Sequence, residues 1–150
     1  MNNFSPDASD PLRGARSVED AASYLFLSLK GDLSFEQLSR FIPDSADIAN
    51  IYVITKSDPK SANIKSNADT VYRQLNREWI KTRSEASELK ANWSNATFEK
   101  LQIVDISDQK LPSKKIMLEC KSGETTLRAS AKCMKIGERW FIGEDIRFGV

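Results

Sequence analysis

One carboxylate in this sequence stands where it would do chemistry. Glu144 lies within Trp140-Phe141-Ile142-Gly143-Glu144-Asp145-Ile146, and strand alternation puts it on the face of Trp140, Ile142 and Ile146. Ala129 and Ala131 share that face on the preceding strand and leave room that larger side chains would fill. Desolvation in such an apolar recess raises a carboxylate's pKa towards the range of a general base. Tyr72 is then a candidate proton donor, and Trp79 and Trp140 are candidate pocket walls, for a small lyase or isomerase. The competing reading sets Glu144 near a sheet edge, paired with a lysine or arginine, or on the solvent side through a one-residue slip of register. That plainer reading takes precedence.

The chain has no histidine. This removes Ser-His-Asp and Cys-His nucleophile pairs, imidazole bases and nearly all zinc sites. Acid–base chemistry would fall to Asp, Glu, Lys, Tyr or Cys. No P-loop, dinucleotide fingerprint or calcium loop is present, so neither a cofactor nor a metal is expected. With 22 basic against 21 acidic residues, no overall field argues for nucleic acid or an anionic membrane. Apolar residues make 40% of the 150, an ordinary balance for one globular domain with a real core. The longest apolar run, Tyr24 to Leu27, falls far short of the roughly 20 residues of a membrane-spanning helix. Met1 to Arg16 lacks the apolar stretch of a signal peptide. Two settings stay open: a soluble cytoplasmic protein, or an exported bacterial domain with its signal removed.

The elements that must position these residues read in order. Residues 1–16, with Pro6, Pro11 and Gly14, are expected to be a flexible tail, and 17–150 a single α+β domain. Ser17 caps a helix with Asp20 at the capping-box spacing; Val18, Ala21, Ala22, Leu25 and Leu29 follow its period, and Gly31 ends it. Ser34 and Gln37 start a short second helix that Pro43 stops. The stretch 44–56 fits either a helix or a strand, and Ser45 and Asp47 favour the helix. A loop around Pro59 precedes a long helix capped by Ser66 with Asp69. Its stripe of Ala68, Tyr72, Leu75, Trp79, Ala86, Leu89 and Trp93, with Thr82 as a polar gap, reads as core, and the charges opposite as a solvated face.

From Phe98 the period changes to that of strands, about four of them. The Ile103-Val104 switch of face suggests a bulge in the first. A two-residue turn at Gly123-Glu124 sets Cys120 opposite Leu127, Leu118 opposite Ala129 and Ile116 opposite Ala131, and pairs Glu119 with Arg128 on the other face. A like turn at Gly137-Glu138 extends the apolar face through Trp140, Ile142, Glu144, Ile146 and Phe148. Cys120 and Cys133 then lie about six residues apart along the sheet, roughly 20 Å, beyond disulfide reach. They read as small buried hydrophobes.

The outer sheet face holds Met117, Met134 and Phe141, with Met134 opposite Phe141, a candidate homodimer surface. Lys114, Lys115, Lys132 and Lys135 gather at one end of the hairpin; protection of strands from mispairing explains them more simply than an anionic partner. Asn92-Trp93-Ser94 and Asn95-Ala96-Thr97 match the glycosylation acceptor pattern, which matters in a eukaryotic secretory setting.

Helices followed by a curved antiparallel sheet closing on Gly137-Glu138-Arg139-Trp140-Phe141 resemble the cystatin-like cone of the nuclear transport factor-like superfamily, with its polyketide cyclase-like and ketosteroid isomerase-like members. The resemblance implies a pocket between sheet and helices and often a homodimer through the sheet. Catalytic members use Asp and His, or Asp-Arg-Asp networks, and no such residue carries over to this chain. Function does not follow from the fold. The sequence therefore favours a non-catalytic binding or assembly domain for a small apolar ligand or a protein partner over the Glu144-dependent enzyme. An exported domain of structural role is the third reading. A filled cone would favour the interaction role, and an open one the ligand or the enzyme.

Overall fold

The computed structural model describes residues 13–56, 64–107 and 110–149. Helix α1 (Val18–Lys30) starts where Ser17 Oγ accepts the Asp20 N–H at 3.1 Å. Glu19 and Asp20 at its positive end and Lys30 at its negative end suit the helix dipole. Gly31, at φ 100°, returns its N–H to the Leu27 carbonyl, a cap geometry that glycine adopts without strain. Helix α2 (Phe35–Leu38) carries a reciprocal cap: Ser34 Oγ accepts from the Gln37 N–H and Gln37 Oε1 from the Ser34 N–H. A 3-10 turn over Ser39–Phe41 follows, and Ile42 takes the extended backbone that a following proline imposes.

The ambiguous stretch is a helix, α3 (Ser45–Ile54), capped one residue earlier than expected by Asp44 and Asp47 in a second reciprocal box. The loop expected around Pro59 falls largely outside the described residues. Helix α4 (Ile64–Glu88) is already formed two residues before Ser66, so Ser66 is an interior residue and not the cap. It also ends before Leu89, which is 48% exposed, while Trp93 sits in a separate 3-10 turn. Leu75, Trp79, Thr82 and Ala86 form its buried side. The backbone carbonyl of the buried Thr82 accepts Trp93 Nε1–H at 3.1 Å.

The sheet is antiparallel in the order β1 (Thr97–Ile106), β2 (Ser113–Ser122), β3 (Thr125–Ile136), β4 (Arg139–Phe148). The β2–β3 register is the expected one, including Cys120 with Leu127 and Glu119 with Arg128. In β1 the bulge lies at Phe98/Lys100; Ile103 and Val104 alternate normally, opposite Ile116 and Lys115. The β3–β4 register runs as expected from Ile136–Arg139 through Cys133–Ile142 and then shifts twice. Between the shifts Lys132 faces Glu144, and beyond them Ala129, not Leu127, faces Phe148.

The core lies between the helices and the inner sheet face: Leu25 and Leu29 from α1, Leu75 and Trp79 from α4, and Ile116, Leu118, Leu127 and Ile142 from the strands. The few polar groups inside are paired. Trp79 Nε1 donates to Ser28 Oγ at 3.0 Å, and that hydroxyl donates to the Leu25 carbonyl at 2.7 Å. A smaller cluster of Leu111, Ile136 and Phe141, flanked by Ile51 and Met134, covers one end of the outer face.

The segment just before α1 is not a free tail. Ala15 pairs with Trp140 on the outer edge of β4 through two 2.8 Å backbone bonds, and Gly14 N–H donates to the Arg40 carbonyl. Arg13 reaches Asp44 and Asp47 at 3.2 and 3.1 Å and donates to the Ile42 carbonyl at 2.6 Å. The rest of the expected tail, residues 1–12, lies outside the described residues.

Candidate functional site

The residues expected to line an open cone are packed together. Ala129 and Ala131 are 0% and 1% exposed, and Trp79 is 9% exposed. Trp140 packs on the same core while Lys114 Nζ stands 5.8 Å from its ring centre. Phe35 ties Tyr72 and Trp79 together, with ring centres 5.2 and 5.4 Å away, and Tyr72 leaves its outer side in solvent. Both alanines belong to the core cluster to which the helices contribute Leu25, Leu29, Leu75 and Trp79, and almost none of their surface is reachable by solvent.

Glu144 is not among them. It is exposed, opposite Lys132 on the outer side of the register. The cause is the bulge after Ile142. Asp145 adopts φ 59°, the left-handed region that Asp enters more readily than most residues, so Ile146 rather than Glu144 returns to the core. The Ile146 N–H finds no strand there; Glu78 Oε1 of α4 accepts it at 3.0 Å. Glu144, Glu78 and Gln74 flank a shallow hollow of about 140 Å³ between α4 and β4. Asp145 bridges Lys132 at 3.2 Å and Arg147 at 3.3 Å. Burial alone would raise its pKa, but the bonds from Lys132 and Arg147 outweigh this and hold it below the ordinary carboxylate value.

The candidate dimer residues separate in the same way. Met134 does face Phe141, but Phe141 is 3% exposed inside the second cluster. An outer patch that includes Phe141 is therefore corrected: that side chain is already covered within the chain, and Met117 stands apart from it. The lysine group also divides by face. Lys114 turns to Asp105, 3.6 Å away, and to Trp140, while Lys115 and Lys132 lie on the outer face.

Other titratable groups serve the fold. Burial pushes the Cys120 and Cys133 thiols up to about 12, with Glu99 and Glu119 adding to the effect at Cys120. At the α3 start, burial raises the Asp47 carboxyl, whereas at Asp44 the Asp47 N–H bond and the Arg13 charge overcome burial and lower it. Two residues escaped the sequence reading here, Arg13 and Glu78. Each acts through a contact far along the chain that no local spacing announces. The bulge did leave a trace: Gly143 and Asp145, both tolerant of unusual backbone, interrupt an apolar strand.

Surface hollows occur among the helices. Arg13, Pro43, Asp44, Asp69 and Tyr72 border one of about 350 Å³, whose arginine is already occupied by two carboxylates and a carbonyl. No helix among the described residues is long and apolar enough to cross a membrane.

No protein-family model matches the sequence, and no curated protein matches it. Among solved structures, a cystatin-like protein from Ruminococcus gnavus ATCC 29149 superposes on 83% of this chain with TM-score 0.51 at 12% identity. This chain spans 38% of that protein's length. At such identity the likeness carries the fold alone: helices followed by a four-stranded antiparallel sheet, an α+β architecture like that of the cystatin-like neighbour.

Proposed function

We propose that this chain is a non-catalytic interaction domain that presents a rigid cone surface to a protein partner. The observation that carries the reading is the filled inner face, where Ala129 and Ala131 are almost wholly buried against the helix layer. A pocket for a small apolar ligand needs room there, and the lyase or isomerase alternative needs Glu144 inside. Glu144 is exposed. A scaffold of this kind works through its outside, and its packed core keeps that outside fixed in shape.

Substitution of Ala131 separates the readings. In a filled core Ala131→Leu overpacks and costs about 1–3 kcal/mol, seen as a lower Tm. Glu144→Gln is neutral beside it. An unchanged Tm for Ala131→Leu, together with stabilisation of the parent by an apolar probe such as anilinonaphthalene sulfonate, would return the domain to the ligand-binding class.

A further inference from the structure

The chain as a whole is nearly neutral, at net charge +1, but the outer sheet face is not. Register sets Val104, Lys115 and Lys132 side by side in one row across the strands. The next row holds Gln102, Met117 and Ser130, and the third Lys100, Glu119 and Arg128. Lys115 thus stands directly opposite Lys132, a like-charge pairing that weakens a sheet. Of the acids nearby, Glu119 lies 3.0 Å from Arg128 and Asp145 binds Lys132 and Arg147. The exposed Glu144 continues the first row opposite Lys132, so the basic excess of the face lies at Lys100 and Lys115. Among the described residues no acid stands within ion-pair distance of Lys100 or Lys115. Val104, 47% exposed, lies beside Lys115, and the half-buried Met117 occupies the row between the two lysines.

We propose that this outer face docks an acidic segment of another protein. Its carboxylates lie over Lys100 and Lys115, and an apolar side chain rests on Met117 and Val104. The proposal rests on the interaction-domain reading and gives the partner its chemistry. Charge complementarity favours this occupant. A second copy docked face to face would set lysines against lysines. A single-stranded nucleic acid would want exposed rings to stack on, and Phe141, the aromatic of this face, is buried. A membrane would want projecting apolar side chains, whereas Met117 sits half-buried among the lysines.

The test is fluorescence anisotropy of a labelled peptide of alternating glutamate and leucine, titrated with the full chain at low and at physiological salt. Binding is expected, weakening with salt, and the Lys100→Glu/Lys115→Glu double variant should lose roughly tenfold or more in affinity. Lys115→Glu places an acid opposite Lys132, but Lys100→Glu places one opposite Glu119. A Lys100→Gln/Lys115→Glu variant, which creates no acid pair, should therefore keep the parental Tm and still lose binding, which separates lost binding from lost folding. Arg77→Glu, on the exposed side of α4, should bind as the parent does. No binding, equal loss in Arg77→Glu, or an unchanged double variant would each overturn the proposal. So would tighter binding, dependent on the same lysines, of a single-stranded RNA oligomer or of phosphatidylglycerol vesicles, and so would a dimer in sedimentation that Met117→Lys dissociates. If the peptide fails while Ala131→Leu still destabilises, the docking proposal falls and the interaction-domain reading stands. If Ala131→Leu is tolerated, the reading beneath it falls first.

Discussion

The two thiols show how burial alone decides a residue's chemistry. Cys120 and Cys133 are 0% and 1% exposed, and loss of hydration disfavours their anions. With both pushed up to about 12, the reactive thiolate is a fraction on the order of 10⁻⁴ at pH 8. The folded protein is therefore expected to resist dithionitrobenzoate at that pH, and both thiols should react once guanidinium unfolds it. Rapid modification of either thiol in the native state would contradict this assignment. The sign of the linkage follows. Each folded pKa is raised above the ordinary 9.0, so the stability these thiols contribute is complete below pH 9 and declines as pH climbs towards 12. Their separation was legible from turn spacing, because counting back from Gly123-Glu124 fixes both positions. For Glu144 the favoured solvent-side reading agrees with its exposure, but the bulge between it and the turn that reverses its side could not be placed from spacing.

At the scale of elements, that bulge and the helix beside it form one unit. The counted register holds through Ile142 because a two-residue turn leaves no freedom near it. It fails at Gly143, where a Cβ would run into the end of the Met134 side chain, and at Asp145, with its left-handed backbone. Leaving the ladder frees the Ile146 N–H, and α4 supplies the acceptor through Glu78. This makes Glu78 the polar fastening of the long helix onto β4, beside the apolar contacts of Leu75. Glu78→Ala strands that donor and should cost about 1–3 kcal/mol in urea unfolding, whereas Glu78→Gln keeps an acceptor and should cost less than about 1. Equal losses in the two variants would show that charge or helix packing, and not this bond, is what Glu78 contributes. The helix stripe itself was legible from its period, but a contact spanning α4 and β4 depends on how the elements dock.

Across the whole molecule, the two edges of the sheet are treated differently. The β4 edge is closed by the chain itself, at Trp140 by the Ala15 bridge and at Ile146 by Glu78, while β1 ends the strand order on the other side. The closure at Trp140 depends on Arg13, which binds Asp44, Asp47 and the Ile42 carbonyl and so ties the entering segment to the start of α3. A boundary drawn at Ser17 from composition misses this, because two basic residues, a glycine and an alanine carry no local signature of an ordered strap. Arg13 is 39% exposed, so its ion pairs are screened and most of its effect should come from the carbonyl bond. Arg13→Ala is expected to lower stability by about 0.5–2 kcal/mol. The more specific consequence is local. The Trp140 N–H, bonded to the Ala15 carbonyl, should exchange with deuterium faster in Arg13→Ala, while core amides such as those of Leu118 and Leu127 slow or quicken only with global stability. Removal of residues 1–16 should open the same amide further and expose the β4 edge, raising the tendency to associate through it. If Trp140 exchange stays at the parental rate in both variants, the strap does not close that edge, and the domain does begin at Ser17 after all.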